Sequence, residues 1–210
     1  MISPHIKNAL LEDLKNGRVL PDTFFDQIFP PEMKRVSTTH WTPIEVVKKA
    51  IDQISLSSNC SILDVGSGCG KFCIAGALIR SDIQFTGVEL RADLVEASKL
   101  ISNELELSNA HFINSSAFEL NWAAFNILYF FNPFWENHLS SKQRIDKTIP
   151  IKKEDFDHYI KEVINRLEKL KKGTQVITYH GFGGKFPSSY ECFHRETCGT
   201  DQIEVWQKTK

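Results

Sequence analysis

An acid and three alternating glycines are the residues of this sequence best suited to bind a ligand: Asp64, Gly66, Gly68 and Gly70. The acid lies near the end of a short apolar run, residues 61–65, and a helix-compatible segment follows the last glycine. A buried strand, a tight glycine turn and a helix start in this order hold nucleotide-like ligands at the C-terminal edge of a parallel sheet. Glycine suits such a turn because a side chain would block the ligand's approach to the backbone, and because the turn uses φ values that other residues avoid.

The spacing of these glycines argues against a dinucleotide. Dinucleotide folds use glycine at the first, third and sixth positions of the turn, and the pyrophosphate rests on the helix N-terminus. Counted from Gly66, the sixth position is Lys71. A carboxylate at Asp64 would also disfavour a nearby pyrophosphate.

The turn resembles the first motif of class I S-adenosylmethionine-dependent methyltransferases, an acidic residue followed by three alternating glycines. The methyl donor of that family carries a positive sulfonium and an ammonium but no phosphate, so an acidic neighbour is favourable. The resemblance implies that S-adenosyl-L-methionine is the cofactor, and that the residues holding it include Asp64, Gly66, Ser67, Gly68 and Gly70.

A second acid, Glu89, follows the glycine turn by about twenty residues and ends the next apolar run. A carboxylate at this place can accept hydrogen bonds from both ribose hydroxyls of a nucleoside. The segment from Gly87 to Leu90 resembles the second methyltransferase motif, which implies that Glu89 and Leu90 contact the cofactor. Nicotinamide enzymes place an acid at the same position, so a nicotinamide oxidoreductase stays an alternative.

A third strand end carries Ser116, Ala117 and Phe118. Members of the family often have an acid here that contacts adenine. In this chain Ser116 is a neutral acceptor for the exocyclic amine, and Ala117 and Phe118 supply apolar contact to the ring. We therefore expect these three residues to form the adenine site.

The fourth strand leads into Asn132, Pro133 and Phe134. This segment is similar to the Asp/Asn-Pro-Pro-aromatic motif of amino-directed methyltransferases, with one proline missing. The asparagine oxygen and the next carbonyl can accept hydrogen bonds from a substrate amine and aim its lone pair at the methyl group, while the aromatic ring packs on the substrate. We expect these three residues to be catalytic. The alternative is a strand-ending turn with aromatic residues in the core.

These motifs require an α/β fold in which parallel strands bring their ends together. Apolar runs predict strands at 61–65, 83–88, 110–114, 126–131 and 174–180, and helical periodicity lies between them near 70–80, 92–107 and 154–172. This alternation predicts parallel strands with helical crossovers. Two further strands, 190–195 and 202–207, read as a terminal antiparallel hairpin. The family resemblance implies a Rossmann-like, seven-stranded, mostly parallel sheet with helices on both faces.

The chain divides at about residue 42 into an N-terminal helical appendage or lid, 1–41, and a methyltransferase domain, 42–210. Thr42, Pro43 and Glu45 have the spacing of a capping box, which predicts that a helix begins there. At the start of this helix, Thr42 is expected to reach the carboxylate end of the cofactor.

Composition limits the partners of the protein. The 210 residues suffice for one domain, and a net charge of −1 gives no global attraction to nucleic acid. Five cysteines, an odd number, indicate free thiols in a reducing compartment. With no apolar run of membrane-spanning length and no signal-peptide pattern, we expect a cytoplasmic protein without membrane partners. Cys192, His194 and Cys198 lack a second pair at a useful spacing, so no metal is expected.

The methyl acceptor is the open question. We expect a methyltransferase that modifies a nitrogen in a protein or small molecule, with an RNA base or a non-catalytic cofactor-binding scaffold as alternatives. His180 follows the fifth strand and is either a structural histidine or a base. A basic loop is either a solvated surface or a guide for an anionic substrate such as RNA; its residues are Lys142, Arg144, Lys147, Lys152 and Lys153.

Overall fold

A computed structural model describes residues 2–54, 60–137, 145 and 152–210. Its seven strands are β1 (Ser61–Val65), β2 (Gln84–Glu89), β3 (Ala110–Asn114), β4 (Ile127–Phe131), β5 (Gln175–Tyr179), β6 (Tyr190–Cys198) and β7 (Asp201–Lys208). They form one sheet in the order β3-β2-β1-β4-β5-β7-β6. Strands β1 to β5 pair in parallel, and β7 runs antiparallel to both of its neighbours. The predicted fold class is confirmed.

Seven α-helices surround the described part of the sheet: α1 (Pro4–Lys15), α2 (Asp22–Phe25), α3 (Pro31–His40), α4 (Ile44–Asp52), α5 (Lys71–Ile79), α6 (Ala92–Glu104) and α7 (Lys153–Lys169). None of the helices in the described ranges is long and apolar enough to cross a membrane. Of the basic loop, Lys142, Arg144 and Lys147 lie outside the described residues.

The strand order reverses between β1 and β4. From β1 the chain builds outward through β2 and β3, and it then returns to the other side of β1 for β4 and β5. Ligands of open parallel sheets bind in the crevice outside the carboxyl ends of the two strands at such a reversal. The glycine turn follows β1 and Asn132 follows β4, so the topology brings the two predicted motifs to one crevice.

Alternating side chains of the central strands fill two separate cores. In β1, Ile62 packs with the helices on one face, whereas Leu63 packs with α7 and its neighbours on the other. In β4, Tyr129 and Phe130 divide in the same way. This period of two follows from strand geometry and explains why β4 is apolar along its whole length and β1 is mostly apolar.

The N-terminal residues pack into the first of these cores. Leu10, Leu14 and Phe25 are almost completely buried in it. Lys71, the first residue of α5, is also buried, and its ammonium group pairs with Asp22 and with Asp26, at 2.7 Å from the latter. Helix α3, which the sequence analysis did not predict, leads from this segment to the crevice.

The predicted capping box is wrong. Helix α4 begins at Ile44, and no side chain of the preceding residue caps it. The backbone N–H of Ile44 donates instead to the carboxylate of Asp22, at 3.0 Å. A carboxylate satisfies a helix N-terminus well because it also meets the positive end of the helix dipole. The hydroxyl of Thr42 is therefore left to bond with the hydroxyl of Tyr129, at 3.1 Å.

Candidate functional site

The glycine turn has a left-handed backbone at each of its glycines. Gly66, Gly68 and Gly70 have φ values of 77°, 55° and 76°. The N–H groups of Gly66 and Ser67 donate to the carbonyl of Val88, at 3.0 Å each, which ties the turn to β2. These bonds hold the turn directly beside the end of the neighbouring strand.

Two tight contacts enclose the turn. A Cβ at Gly68 would lie 2.2 Å from Cζ3 of Trp41, and a Cβ at Gly66 would lie 3.0 Å from Cβ of Pro133. The first distance is far below van der Waals contact, so only glycine fits beneath Trp41. The turn therefore lies between the N-terminal segment and the segment that follows β4.

Glu89 is buried at the end of β2 and organises the polar side of the crevice. One carboxylate oxygen accepts from the N–H of Gly68 at 3.2 Å, and the other accepts from the N–H of Arg91 at 3.0 Å. The guanidinium of Arg91 forms ion pairs with both Glu89 and Glu136. A carboxylate has about four lone-pair sites, and donors from Gly68 and Arg91 use three of them, so Glu89 retains capacity for about one hydroxyl group of a ligand.

Two cavities flank this acid. The smaller has a volume of about 120 Å³ and is lined by Leu90, Ser116, Ala117, Phe118, Phe134 and Tyr159, among others. Its aromatic rings lie close together, with ring centroids of Phe118 and Phe134 5.7 Å apart and nearly parallel. The cavity combines a flat apolar wall with the hydroxyl of Ser116, which suits a purine ring.

The larger cavity, of about 540 Å³, also borders the Arg91–Glu136 pair. Its walls include Asn132, Trp41, Trp135, Tyr179 and His180. The two cavities share five lining residues: Gly66, Glu89, Arg91, Pro133 and Glu136. A ligand that fills both must therefore pass over the glycine turn and beside Pro133.

Asn132 has a left-handed backbone at the end of β4, with φ of 43°. Its N–H donates to the carbonyl of Gly181 at 2.9 Å, which links the ends of β4 and β5. Asparagine tolerates this conformation better than most residues. Asn132 lines the larger cavity, Phe134 lines the smaller, and Pro133 lines both.

Four residues that were predicted to bind the cofactor line neither cavity: Thr42, Asp64, Ser67 and Gly70. Gly70 is a packing position, since a Cβ there would lie 2.5 Å from Cε1 of Phe112. Ser67 has a buried hydroxyl without a hydrogen-bond partner in the structure, and it sits against Gly87. Direct contact between these four residues and a ligand is not supported by this geometry.

Asp64 faces away from the crevice because side chains alternate along β1. It is 4% exposed, and its Oδ2 accepts a weak hydrogen bond from the thiol of Cys73 at 3.7 Å. Burial raises the pKa of Asp64 to about 8; the Cys73 bond opposes this shift, and the charge of Glu89 adds to it. Near neutral pH this carboxyl is therefore mostly protonated, so it supplies little negative charge beneath the turn.

Sequence reasoning missed much of the larger cavity. Thr38 to His40 come from α3, which carries no motif, and Trp41 directly follows it; Arg91 and Glu136 become site residues only by pairing across the crevice. Trp135 is half exposed at the cavity wall, and as a large apolar residue directly after Phe134 it was the one available signal. Among the described residues, no three of His, Cys, Asp and Glu are grouped as metal ligands.

The predicted donor fits this arrangement in its chemistry. Glu89 offers an acceptor for a ribose hydroxyl, the smaller cavity offers a flat apolar site for adenine, and Gly66 lines both cavities between them. Within the described residues, Arg91 is the only Lys or Arg that lines either cavity, and it is paired with acids, whereas a phosphate would require free basic groups. The residues that are present thus suit a nucleoside without phosphate.

Comparison with known proteins gives a family and several relatives. The sequence profile of a family described as "Methyltransferase domain" matches residues 56–208. Release factor glutamine methyltransferase of Buchnera aphidicola subsp. Baizongia pistaciae is 24% identical over 180 residues, which cover 78% of this chain and 64% of that protein. A tRNA (guanine-N(7)-)-methyltransferase of Synechococcus sp. (strain JA-3-3Ab) is 45% identical over 51 residues, which cover 24% of this chain and 22% of that protein. The chain thus spans less than two thirds of either relative.

Solved structures share the fold. An RNA methyltransferase from Salinibacter ruber in complex with S-adenosyl-L-homocysteine superimposes with a TM-score of 0.57 at 17% identity, over 80% of this chain and 94% of that one. At this level of identity, the likeness concerns the fold alone.

Proposed function

This chain belongs to the class I methyltransferase family, and we propose that it transfers a methyl group from S-adenosylmethionine to a nitrogen atom of a protein or small molecule. The observation that carries the proposal is the position of Asn132, Pro133 and Phe134. They form the wall between an adenine-sized cavity and a larger one, and Pro133 packs against the glycine turn. An acceptor in the larger cavity therefore meets the donor beside Asn132.

The donor site in this proposal runs across both cavities. Leu90, Ser116, Ala117 and Phe118 hold the adenine ring, and Glu89 accepts hydrogen bonds from the ribose. Gly66 lines both cavities and Gly68 lines the larger one, so the donor crosses into the larger cavity over this turn. When bound, S-adenosylmethionine supplies an electrophilic methyl group on a positive sulfur.

Nitrogen is the proposed acceptor because Asn132 presents hydrogen-bond acceptors where the methyl group arrives. Its side-chain oxygen fixes an amine or amide N–H, and this leaves the nitrogen lone pair to face the methyl group. Trp135 and Phe131 line the same cavity and suit a planar group next to that nitrogen. Positioning and desolvation of the acceptor nitrogen by these residues favour methyl transfer.

An RNA base is the second candidate acceptor. It is supported by the 51-residue similarity to a tRNA (guanine-N(7)-)-methyltransferase, since a guanine is planar and carries nitrogen acceptors. The main proposal is supported over a longer stretch, by the relative that is named for glutamine methylation. The free state of all five cysteines supports a cytoplasmic location for either reaction.

The deciding experiment incubates the protein with a cell lysate and S-adenosylmethionine that carries a tritiated methyl group. Protein, RNA and small-molecule fractions are then separated and counted. We expect label in the protein or small-molecule fraction; label confined to RNA would select the second candidate. Absence of label from every fraction, with the cofactor bound in calorimetry, would mean a non-catalytic scaffold and contradict the proposal.

Replacement of Asn132 by glycine tests the acceptor role. We choose Asn132→Gly because glycine keeps the left-handed backbone, with φ of 43°, while it removes the amide. Turnover should fall about 100-fold, as when one positioned hydrogen-bonding group is removed, and the calorimetric Kd for S-adenosylmethionine should change less than about twofold. Glu106→Gly is the matched control, because Glu106 also has a positive φ, of 58°, and lines neither cavity. Equal turnover in both variants would remove Asn132 from the mechanism.

A further inference from the structure

We propose that His180, oriented by Asp201, is the base that receives the proton released by the acceptor nitrogen. The inference rests on the proposed function and adds a catalytic residue to it. His180 lines the larger cavity together with Asn132. Asp201 lies at the start of β7 and belongs neither to the proposed methyl-donor site nor to the acceptor segment 132–134.

The side chain of His180 is held in one tautomer by its neighbours. Its Nδ1 lies 2.6 Å from Oδ2 of Asp201, so the neutral ring donates its proton there. The other carboxylate oxygen of Asp201 accepts from the N–H of Gln202 at 2.8 Å, which fixes the orientation of the carboxylate. Nε2 is consequently the unprotonated nitrogen of the neutral ring, and it is the atom that can take a proton.

A hydroxyl beside Nε2 accommodates both protonation states. Oγ1 of Thr200 lies 3.3 Å from Nε2 of His180 and 3.2 Å from the hydroxyl of Tyr179. Tyr179 donates its own proton to the carbonyl of Cys198 at 2.9 Å. With neutral His180, the Thr200 proton turns toward Nε2; with the charged ring, Nε2 donates to Thr200, whose proton turns toward Tyr179. The proton can therefore be gained without leaving an unsatisfied polar atom.

The backbone carries His180 to the acceptor side of the crevice. His180 directly follows β5 and has a left-handed backbone, with φ of 61°. The next residue, Gly181, accepts the hydrogen bond from the N–H of Asn132 at 2.9 Å. The imidazole also packs on Phe131, with ring centroids 5.4 Å apart. Because β4 and β5 are adjacent, the two strand ends place Asn132 and His180 on one wall.

The proposed step balances as follows. The acceptor nitrogen uses its lone pair to form a bond to the methyl carbon, while the carbon–sulfur bond breaks and its electron pair stays on sulfur. The nitrogen then carries an extra positive charge and loses a proton to Oγ1 of Thr200, which lines the same cavity and passes its own proton on to Nε2 of His180. The carboxylate of Asp201 stabilises the imidazolium. The side chain of His180 is 32% exposed, so the proton can pass on to water.

Other charged groups face the same cavity and therefore belong to the setting in which the methyl-transfer rate is measured against pH. Among the described residues, they are His40 from α3, Glu89 from β2, Arg91 before α6 and Glu136 after β4. Arg91 is paired with both glutamates. The groups in direct contact with the imidazole, from the elements packed on it, are Asp201, Thr200, Tyr179 and Phe131.

The test uses His180→Asn in the 210-residue chain, since asparagine tolerates the left-handed backbone. The rate of tritiated methyl transfer to the labelled lysate fraction should fall about 100-fold, as is typical on loss of a general base, and the Kd for S-adenosylmethionine should stay unchanged. The wild-type rate should have an acid limb, because only a neutral imidazole can accept a proton, and this limb should be absent from the variant. Asp201→Asn should lower the rate at least tenfold while the protein stays folded.

A second measurement does not depend on the acceptor. Nitrogen-15 NMR of the ring in the wild-type protein should show the neutral His180 protonated at Nδ1. For the methyl-transfer rate, His111→Asn serves as the control and should keep the wild-type rate, because His111 lies on β3 and lines neither cavity. If wild type transfers label and His180→Asn transfers it at an equal rate, or if Nε2 carries the proton, the inference is wrong. If wild type transfers no label, the proposed function itself fails.

Discussion

The contact between Gly68 and Trp41 makes the cofactor turn sensitive to a single methyl group. In Gly68→Ala the new Cβ would meet Cζ3 of Trp41 at 2.2 Å, and the backbone, with φ of 55°, would also be strained. Overpacking and left-handed strain together predict a loss of about 3 kcal/mol of unfolding free energy. Because the turn must move to relieve the clash, binding of S-adenosylmethionine should also weaken at least tenfold in calorimetry.

Gly17→Ala is the control for backbone strain alone. Gly17 has φ of 73°, and a Cβ there would find only Cε of Lys48, at an ordinary 3.8 Å. This variant should lose about 1 kcal/mol in urea unfolding and retain full cofactor affinity. Equal losses in the two variants would show that Trp41 yields freely and does not enclose the turn.

The buried carboxyl of Asp64 predicts a pH-dependent stability. Its folded pKa of about 8 lies above its ordinary value of 3.8, so between these values the folded protein holds a proton that the unfolded chain releases. The contribution is complete below about pH 4 and is lost as pH rises to 8. Asp64→Asn does not titrate, so its stability relative to wild type should rise with pH, by up to about 1.4 kcal/mol per unit.

Urea unfolding of Asp64→Asn and wild type at pH 5, 6, 7 and 8 measures this difference. Asp82→Asn provides the control, because a hydrogen bond from Arg80 lowers the pKa of Asp82. Its contribution is lost only as the medium becomes acidic, so this control should parallel wild type from pH 5 to 8. Parallel curves for Asp64→Asn and wild type would contradict the assignment.

At the scale of elements, local pattern was enough to predict the central sheet. The apolar run before Asp64 gave β1 at its observed bounds, and the other parallel strands agree within a residue or two. β1, β4 and β5 are buried on both faces almost throughout, so they are mostly apolar and differ in composition from the helices around them. The glycine turn and the segment after β4 were recognisable for a related reason, since each has few residue types that its geometry accepts.

Elements whose role depends on distant residues were not predictable. Thr42 is of a residue type that often caps helices, yet the N–H of Ile44 at the start of α4 is satisfied by Asp22, twenty-two residues earlier in the chain. Asp64 was expected at the ligand, but the alternation of β1 turns it toward Cys73. The pairing of Arg91 with Glu136 joins two strand ends that no local pattern connects. In each case a contact between remote segments overrode a local preference.

At the scale of the whole molecule, the N-terminal segment and the sheet share one core. The predicted boundary at residue 42 stays a prediction, and Lys71 offers its test, because this buried ammonium pairs with Asp22 and Asp26 of the segment. Lys71→Met leaves two carboxylates without their cation, which should cost about 3–5 kcal/mol. Circular dichroism and tryptophan fluorescence should still report one coincident unfolding transition, as expected of a single cooperative unit.

Lys48→Met is the control, because it makes the same substitution in a surface ion pair with Asp52. It should lower the free energy of unfolding by less than about 1 kcal/mol. Lys71→Met could instead unfold in two separate transitions, with the sheet still folded after the first. That result would establish residues 1–41 as an independent appendage.

The larger cavity takes its walls from residues spread between positions 38 and 200. A molecule bound there holds together the N-terminal segment, the parallel strands and the terminal hairpin. Its binding free energy therefore adds to the stability of the entire chain, by about 2.7 kcal/mol when its concentration is 100 times its Kd. In a cell, the supply of the methyl donor would then govern how long each copy survives proteolysis, in addition to how fast it works.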